Sequence, residues 1–277
     1  MAERPILILA TGQRCGSTWL QRALTTHPGV FIWGEHGGAL DTMLAAADTF
    51  AAWSNDQGAL AGEEFEAAGT SGFMANLAPT EAVLREQVHA MIRGLFRRLP
   101  DGSEPAGELR WGFKEVRYGA AFARRFTGYF PEARVIHLTR DPISVLRSLG
   151  WWELTSGGRW KRERTVAALH SWRDINGSFL DAPDLAGTVL PIRYEDLTGD
   201  RAAVLASICA FLDLDVGAVD HGMLDDVVHA PAPWGRTRRR LAPRDEVVES
   251  YAEHLEDPDL IRVAAHFGYP LTASEGR

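Results

Sequence analysis

Along the chain, five short apolar runs alternate with longer stretches in which apolar residues recur every three or four positions. Residues 6–10, Ile-Leu-Ile-Leu-Ala, form a continuous run, long enough for a buried strand and too short to cross a membrane. Residues 30–33, 111–115, 134–139 and 189–193 read as further short strands. Helical spacing follows the first run through Trp19, Leu20, Ala23 and Leu24. It returns at 80–99, where Leu84, Val88, Met91, Ile92, Leu95 and Leu99 make one stripe and Thr80 is placed as a cap. Other predicted helices cover 120–126, 143–149 with Pro142 in the first turn, 162–180, and 201–212 capped by Asp200. In 162–180 the stripe is Val166, Leu169, Trp172, Ile175 and Phe179. Two short amphipathic helices, near 247–255 and 260–267, close the chain. The alternation predicts an α/β fold with a central, mostly parallel sheet in one domain spanning 1–277.

Three stretches depart from this pattern. Residues 45–79 are rich in small and polar residues, with Phe50, Trp53, Phe65 and Phe73 scattered at no clean period, and read as an irregular insertion. Its aromatics suit a substrate lid, although packing of a loop onto the core explains them as well. At 151–160, two tryptophans, two glycines and Trp160 break the preceding helix into an aromatic loop that suits an acceptor pocket or core packing. At 230–242 a Pro-containing segment carries Arg236, Arg238, Arg239 and Arg240.

With 277 residues the chain can bury a large core. A formal net charge of −8 gives no general reason to bind nucleic acid, so local basic clusters stand out against it. Two cysteines are too few for a disulfide framework and point to a reducing compartment. No signal peptide or stable membrane insertion is expected. The expected location is the cytoplasm. A homodimer is compatible with all of this.

The candidate chemistry begins at Thr11-Gly12-Gln13-Arg14-Cys15-Gly16-Ser17-Thr18, between the first strand and the first helix. Glycines permit close backbone approach, backbone N–H groups and a helix N-terminus face an anion, and Arg14 adds charge. An ordinary strand-to-helix turn capped by Ser17 or Thr18 accounts for the same residues. The phosphate-loop signature GxxxxGK followed by Ser or Thr is absent: the glycines are one residue too close and Ser17 replaces the lysine. After the second strand, Gly34-Glu35-His36-Gly37-Gly38 encloses two ionisable side chains where ligands of open α/β sheets sit, or forms a solvated turn. Lys114, Glu115 and Arg117 end the 111–115 strand, either as a rim or as part of a polar site. Arg140-Asp141-Pro142 leaves the next strand, with Ser144 and Ser148 a helical turn apart beyond it.

Taken in order, these segments resemble the sulfotransferase superfamily that uses 3′-phosphoadenosine 5′-phosphosulfate (PAPS). Its first loop, Lys/Arg-x-Gly-x-Thr, is matched by Arg14-Cys15-Gly16-Ser17-Thr18, with Ser17 for a common threonine and an unusual Cys15. Its Arg-Asp/Asn-Pro motif, with a serine eight residues after the arginine, is matched by Arg140 to Ser148. Trp111 to Lys114 and Tyr194 to Leu197 are further echoes, and the likeness spans about 14–197. The resemblance implies a three-layer fold like that of P-loop NTPases and sulfuryl transfer to a hydroxyl of a small-molecule, natural-product or glycolipid acceptor. It further implies that Arg14 and the backbone of Cys15, Gly16, Ser17, Thr18 and Trp19 hold the 5′-phosphosulfate, and that Arg140 and Ser148 hold the 3′-phosphate.

In the carbohydrate-type and bacterial members that the chain resembles, a glutamate after the second strand is the base, which places Glu35 first and His36 as its rival. Lys114 is a second cation near the transferred group, and Arg236 and Arg238 belong to a loop that covers the donor or to a solvated face. Tyr194, Glu195 and Asp196 read as a structural tie between strand and helix. No metal is required. The competing readings are a phosphotransferase with a degenerate loop and a non-catalytic nucleotide-binding protein of the same fold.

Overall fold

A computed structural model of the protein describes residues 3–105, 107–155, 157, 161–220 and 241–272. Its centre is a sheet of five strands, β1 (Ile6–Ala10), β2 (Val30–Trp33), β3 (Arg110–Glu115), β4 (Arg134–Thr139) and β5 (Val189–Arg193). They lie in the order β2-β3-β1-β4-β5, and every neighbouring pair is parallel. The register pairs Leu9 with Glu115, Ala10 with Leu138 and Thr139 with Arg193, so the carboxyl ends of the strands share one edge of the sheet. The close fit of β3 to β1 requires Gly112, where a Cβ would come within 1.8 Å of the Ile6 carbonyl oxygen.

Strand side chains alternate between two cores, as a strand covered on both faces demands. Leu7, Leu9, Trp111, Phe113 and Val135 pack on one face with α2 (Ala39–Trp53), α4 (Glu81–Phe96) and α5 (Ala120–Tyr129). Ile6, Ile8, Ala10, Ile136 and Leu138 pack on the other with α1 (Ser17–Thr25) and α9 (Arg201–Leu212). The result is the expected three-layer α/β arrangement. A third cluster joins α6 (Pro142–Thr155) and α7 (Arg162–Leu180) to α10 (Arg244–Ser250), α11 (Ala252–Leu255) and α12 (Pro258–His266) through Trp172, Tyr251, Leu260 and Tyr269. Among the described residues no helix is long and apolar enough to cross a membrane.

Several elements differ from the sequence expectation. Residues 45–79 are largely helical: α2 runs through to Trp53, a π-helical turn (Ser54–Gly58) follows, and α3 (Ala59–Ala68) comes next. α3 buries only Ala61, so the sequence there carries no apolar stripe of helical period. Trp151 and Trp152 do not break α6, which continues through Gly150 to Thr155. On α4 the buried stripe is Val88, Ile92 and Phe96, whereas Met91 and Leu95 are exposed. The caps Thr80 and Asp200 stand as expected, accepting from the Val83 and Ala203 N–H groups.

The site lies where connections from adjacent strands diverge. From β1 the chain leaves toward β2 on one side, and from β4 toward β5 on the other. Crevices at such switch points hold ligands in open α/β sheets.

Candidate active site

The β1–α1 loop is held open by its backbone. Gly12, Arg14 and Gly16 all have positive φ, at 89°, 72° and 86°. Glycine adopts this region freely, but for Arg14 it costs roughly 1–3 kcal/mol. Gly16 is the N-cap of α1 and no side chain caps the helix, so the turn is not the ordinary Ser17- or Thr18-capped one. The first α1 hydrogen bonds run from the Trp19 and Leu20 N–H groups to the Gly16 carbonyl, at 3.0 and 3.3 Å. Trp19 therefore spends its N–H inside the helix. The N–H groups of Cys15, Gly16, Ser17 and Thr18 precede that ladder and have no acceptor among the described residues. Cys15 points inward, 3.6 Å from the Thr11 hydroxyl. Burial pushes its thiol up to about 11, so its backbone faces the loop while its sulfur remains protonated and inert.

Arg140 buttresses this loop from the end of β4. Its Nη1 donates to the Arg14 carbonyl at 2.7 Å, and its guanidinium lies over the Tyr194 ring at 4.3 Å. Tyr194 also fits against Gly16, where a Cβ would sit 2.4 Å from the ring. Trp172 donates to the Arg140 carbonyl at 2.9 Å, which fixes the backbone there. Arg140 Nε is buried with no hydrogen-bond partner among the described residues. Arg14 turns toward α6: its Nε donates to the Ser148 hydroxyl at 2.9 Å, and its guanidinium lies 5.6 Å from the Trp152 ring. Arg14 thus links Arg140 to Ser148, through its carbonyl and its guanidinium respectively. Ser144 does not join Ser148, because its hydroxyl donates to Asp141 at 2.7 Å.

A second polar cluster occupies the ends of β2 and β3. Lys114 Nζ meets Glu35 Oε1 at 2.5 Å, and Arg117 Nη1 meets Glu35 Oε2 at 3.1 Å. Behind them Glu115 is fully buried and accepts from the Val116, Gly38 and His36 N–H groups and from Arg117. Burial alone would raise its pKa, but the Val116 and Gly38 hydrogen bonds and Arg117 outweigh it and hold the carboxyl below its usual range. His36 faces the other way. Its Nε2 pairs with the Tyr118 hydroxyl at 2.9 Å, its ring packs edge-on to Phe113, and burial lowers its pKa. Adjacent in sequence, Glu35 is partly exposed and His36 is half-buried against Phe113 and Phe96. The Gln21 side chain of α1 donates to the Ile32 carbonyl at 2.9 Å, tying the first turns of α1 to the end of β2 that bears Glu35.

Arg236 and Arg238, like Trp160, lie outside the described residues. Tyr118 and Arg244 contribute contacts for which no site role was expected, and Arg117 was expected only as a rim or part of a polar site. A charged triplet at a strand end pointed to Arg117, but no local signal marks Tyr118 or Arg244.

A parallel α/β sheet here carries an open N–H loop and converging cations at its switch point, the kind of place where such sheets hold anions. The profile of the sulfotransferase family matches residues 5–218, and the chain belongs to that family. No curated protein matches it in sequence. In fold it is similar to the sulfotransferase domain of the Synechococcus PCC 7002 olefin synthase, with 20% identity, a TM-score of 0.52 and coverage of 98% of this chain and 97% of that one. The sulfotransferase domain of the curacin biosynthetic pathway gives 17%, 0.52, 98% and 100%. A sulfotransferase from Alicyclobacillus acidocaldarius gives 17%, 0.51, 98% and 98%. Identities this low speak for a shared fold.

Proposed function

We propose that this sulfotransferase moves the sulfuryl group of PAPS to a hydroxyl of a small-molecule, natural-product or glycolipid acceptor, with Glu35 as the base. The observation that carries the reading is the convergence of Arg14, Arg140 and Ser148 beside unclaimed loop N–H groups. A nucleotide with phosphates at both ends of its ribose suits that arrangement. The residues fit such a donor: Arg140 Nε is buried without a partner among the described residues, and no described atom beyond the glycine's chain neighbours lies within 4 Å of where a Gly12 Cβ would stand.

When bound, PAPS supplies a sulfuryl group joined to a phosphate that departs as part of 3′,5′-ADP. The N–H groups of Cys15 to Thr18 and the Ser17 and Thr18 hydroxyls hold the 5′-phosphosulfate, while Arg140 and Ser148 hold the 3′-phosphate. Glu35 takes the hydroxyl proton as the acceptor oxygen bonds to sulfur. Arg14 stabilises the electron pair left on the bridging oxygen as the sulfur–oxygen bond to phosphate breaks. Lys114 and Arg117 each take one Glu35 oxygen and so orient the carboxylate. His36, committed to Tyr118 and the core, is the weaker candidate for base.

Thermal shift separates this reading from a phosphotransferase. Stabilisation by 3′,5′-ADP without metal is expected; stabilisation by ATP–magnesium alone contradicts it.

A further inference from the structure

We propose that Arg244 is a positioning residue for the 3′-phosphate end of the donor site, acting from the C-terminal part of the chain through Asp141. This rests on the PAPS reading above. Arg244 stands at the start of α10, 103 residues beyond Asp141, and both side chains are buried. Its Nη1 donates to Asp141 Oδ2 at 2.6 Å, and its Nη2 approaches Oδ1 at 3.4 Å. The remaining donors go to main-chain carbonyls, Nε to Thr272 at 3.0 Å and Nη2 to Pro270 at 2.5 Å. The guanidinium therefore locks the chain after α12 to the start of α6.

Asp141 passes this constraint to the site. It follows Arg140 directly, and its carboxylate accepts from the Ser144 N–H at 3.0 Å and the Ile143 N–H at 3.4 Å, capping α6. Its own N–H donates to Glu195 at 3.0 Å, and Glu195 accepts from the Tyr269 hydroxyl at 2.8 Å. Ser148 lies further along the helix that Asp141 caps. A second tie sits next to it, where Arg147 Nε donates to the Ala242 carbonyl at 2.9 Å. Arg140 at the strand end and Ser148 on the helix are thus held in one frame whose outer wall is the C-terminal segment. A lysine retains charge at Arg244 but not the fork that reaches a carboxylate and two carbonyls at once.

The test compares 3′,5′-ADP with 5′-AMP, which lacks the 3′-phosphate, by calorimetric titration of the full-length wild type, Arg244→Gln and Arg244→Lys. Expected for Arg244→Gln is a loss of at least about tenfold in 3′,5′-ADP affinity, with 5′-AMP affinity within about twofold of wild type. Arg244→Lys is expected to recover part of the loss. Equal weakening of both ligands, or no weakening, overturns the positioning role, since a purely structural Arg244 does not discriminate between them. If Arg244→Gln fails to fold, the same ratio is read from Arg244→Lys, where an unchanged wild-type preference overturns the proposal. A wild type that binds the two ligands equally overturns the donor reading itself, whereas a wild-type preference that survives in Arg244→Gln overturns only the role of Arg244.

Discussion

The Arg14 guanidinium donates to the Ser148 hydroxyl at 2.9 Å, although the two residues are separated by 134 positions in sequence. This contact joins the loop after β1 to the helix after β4 across the divide of the sheet. Arg14 reaches it from a left-handed backbone conformation, φ 72°, in which its carbonyl is held by Arg140. Backbone strain held at a residue that is not glycine is common where a side chain is kept for function.

Arg14→Gly separates strain from function. The glycine removes a backbone cost of roughly 1–3 kcal/mol while losing a hydrogen bond of about 1–2 kcal/mol. Its unfolding free energy is expected within about 1 kcal/mol of wild type, measured by denaturant titration. Sulfuryl transfer should fall at least about a hundredfold, because the charge on the leaving oxygen loses its partner. Retained turnover in a stable variant removes Arg14 from the mechanism.

Glu35→Gln keeps the shape of the side chain and removes its capacity to accept a proton. Turnover should drop by roughly 10²–10⁴ with 3′,5′-ADP affinity preserved. His36→Gln should behave differently, lowering the melting temperature through the lost Tyr118 and Phe113 contacts while leaving most of the turnover. The reverse pattern in steady-state kinetics would move the base to His36.

Acid sensitivity should trace in large part to His137, fully buried on β4 and stacked on Phe179. Burial lowers its pKa from 6.5 to about 3, with the Asn176 side chain opposing weakly. The unfolded chain takes up this proton first, so the stability contribution is present above about 6.5 and lost as pH falls toward about 3. By about pH 5 the loss should reach about 2 kcal/mol. His137→Phe should flatten that limb, measured as the denaturant midpoint at several pH values. His36, lowered in the same direction by burial, and Glu115, whose carboxyl is held below its usual range, add to that limb. An unchanged acid limb in His137→Phe would assign the sensitivity elsewhere.

What could be read from sequence was what is local. β1, the glycine-bracketed loop and α1 are contiguous, and their apolar run and turn residues state their roles directly. Arg140 to Ser148 was readable for the same reason, as a strand end, a proline and a helix. The helices between Ala39 and Ala68 were not, because α3 stands largely in solvent and shows no buried stripe from which to infer a period. Trp151 and Trp152 suggested a loop because Gly157 and Gly158 follow them closely, yet α6 carries both tryptophans and runs on to Thr155. The difference between Glu35 and His36 was beyond the sequence: it is set by Lys114 and Arg117 on one side and by Tyr118 and Phe113 on the other. Arg244 finds Asp141 only in three dimensions.

The most direct test of the two-phosphate site we propose is a calorimetric titration of 3′,5′-ADP into wild type and Arg140→Ala, with the melting temperature of each free protein recorded alongside. A buried, charge-assisted contact with the 3′-phosphate predicts metal-free binding by wild type and a loss of about 2–4 kcal/mol in the folded variant. A loss below a few tenths of a kcal/mol would make Arg140 a support for the Arg14 loop alone and contradict the account.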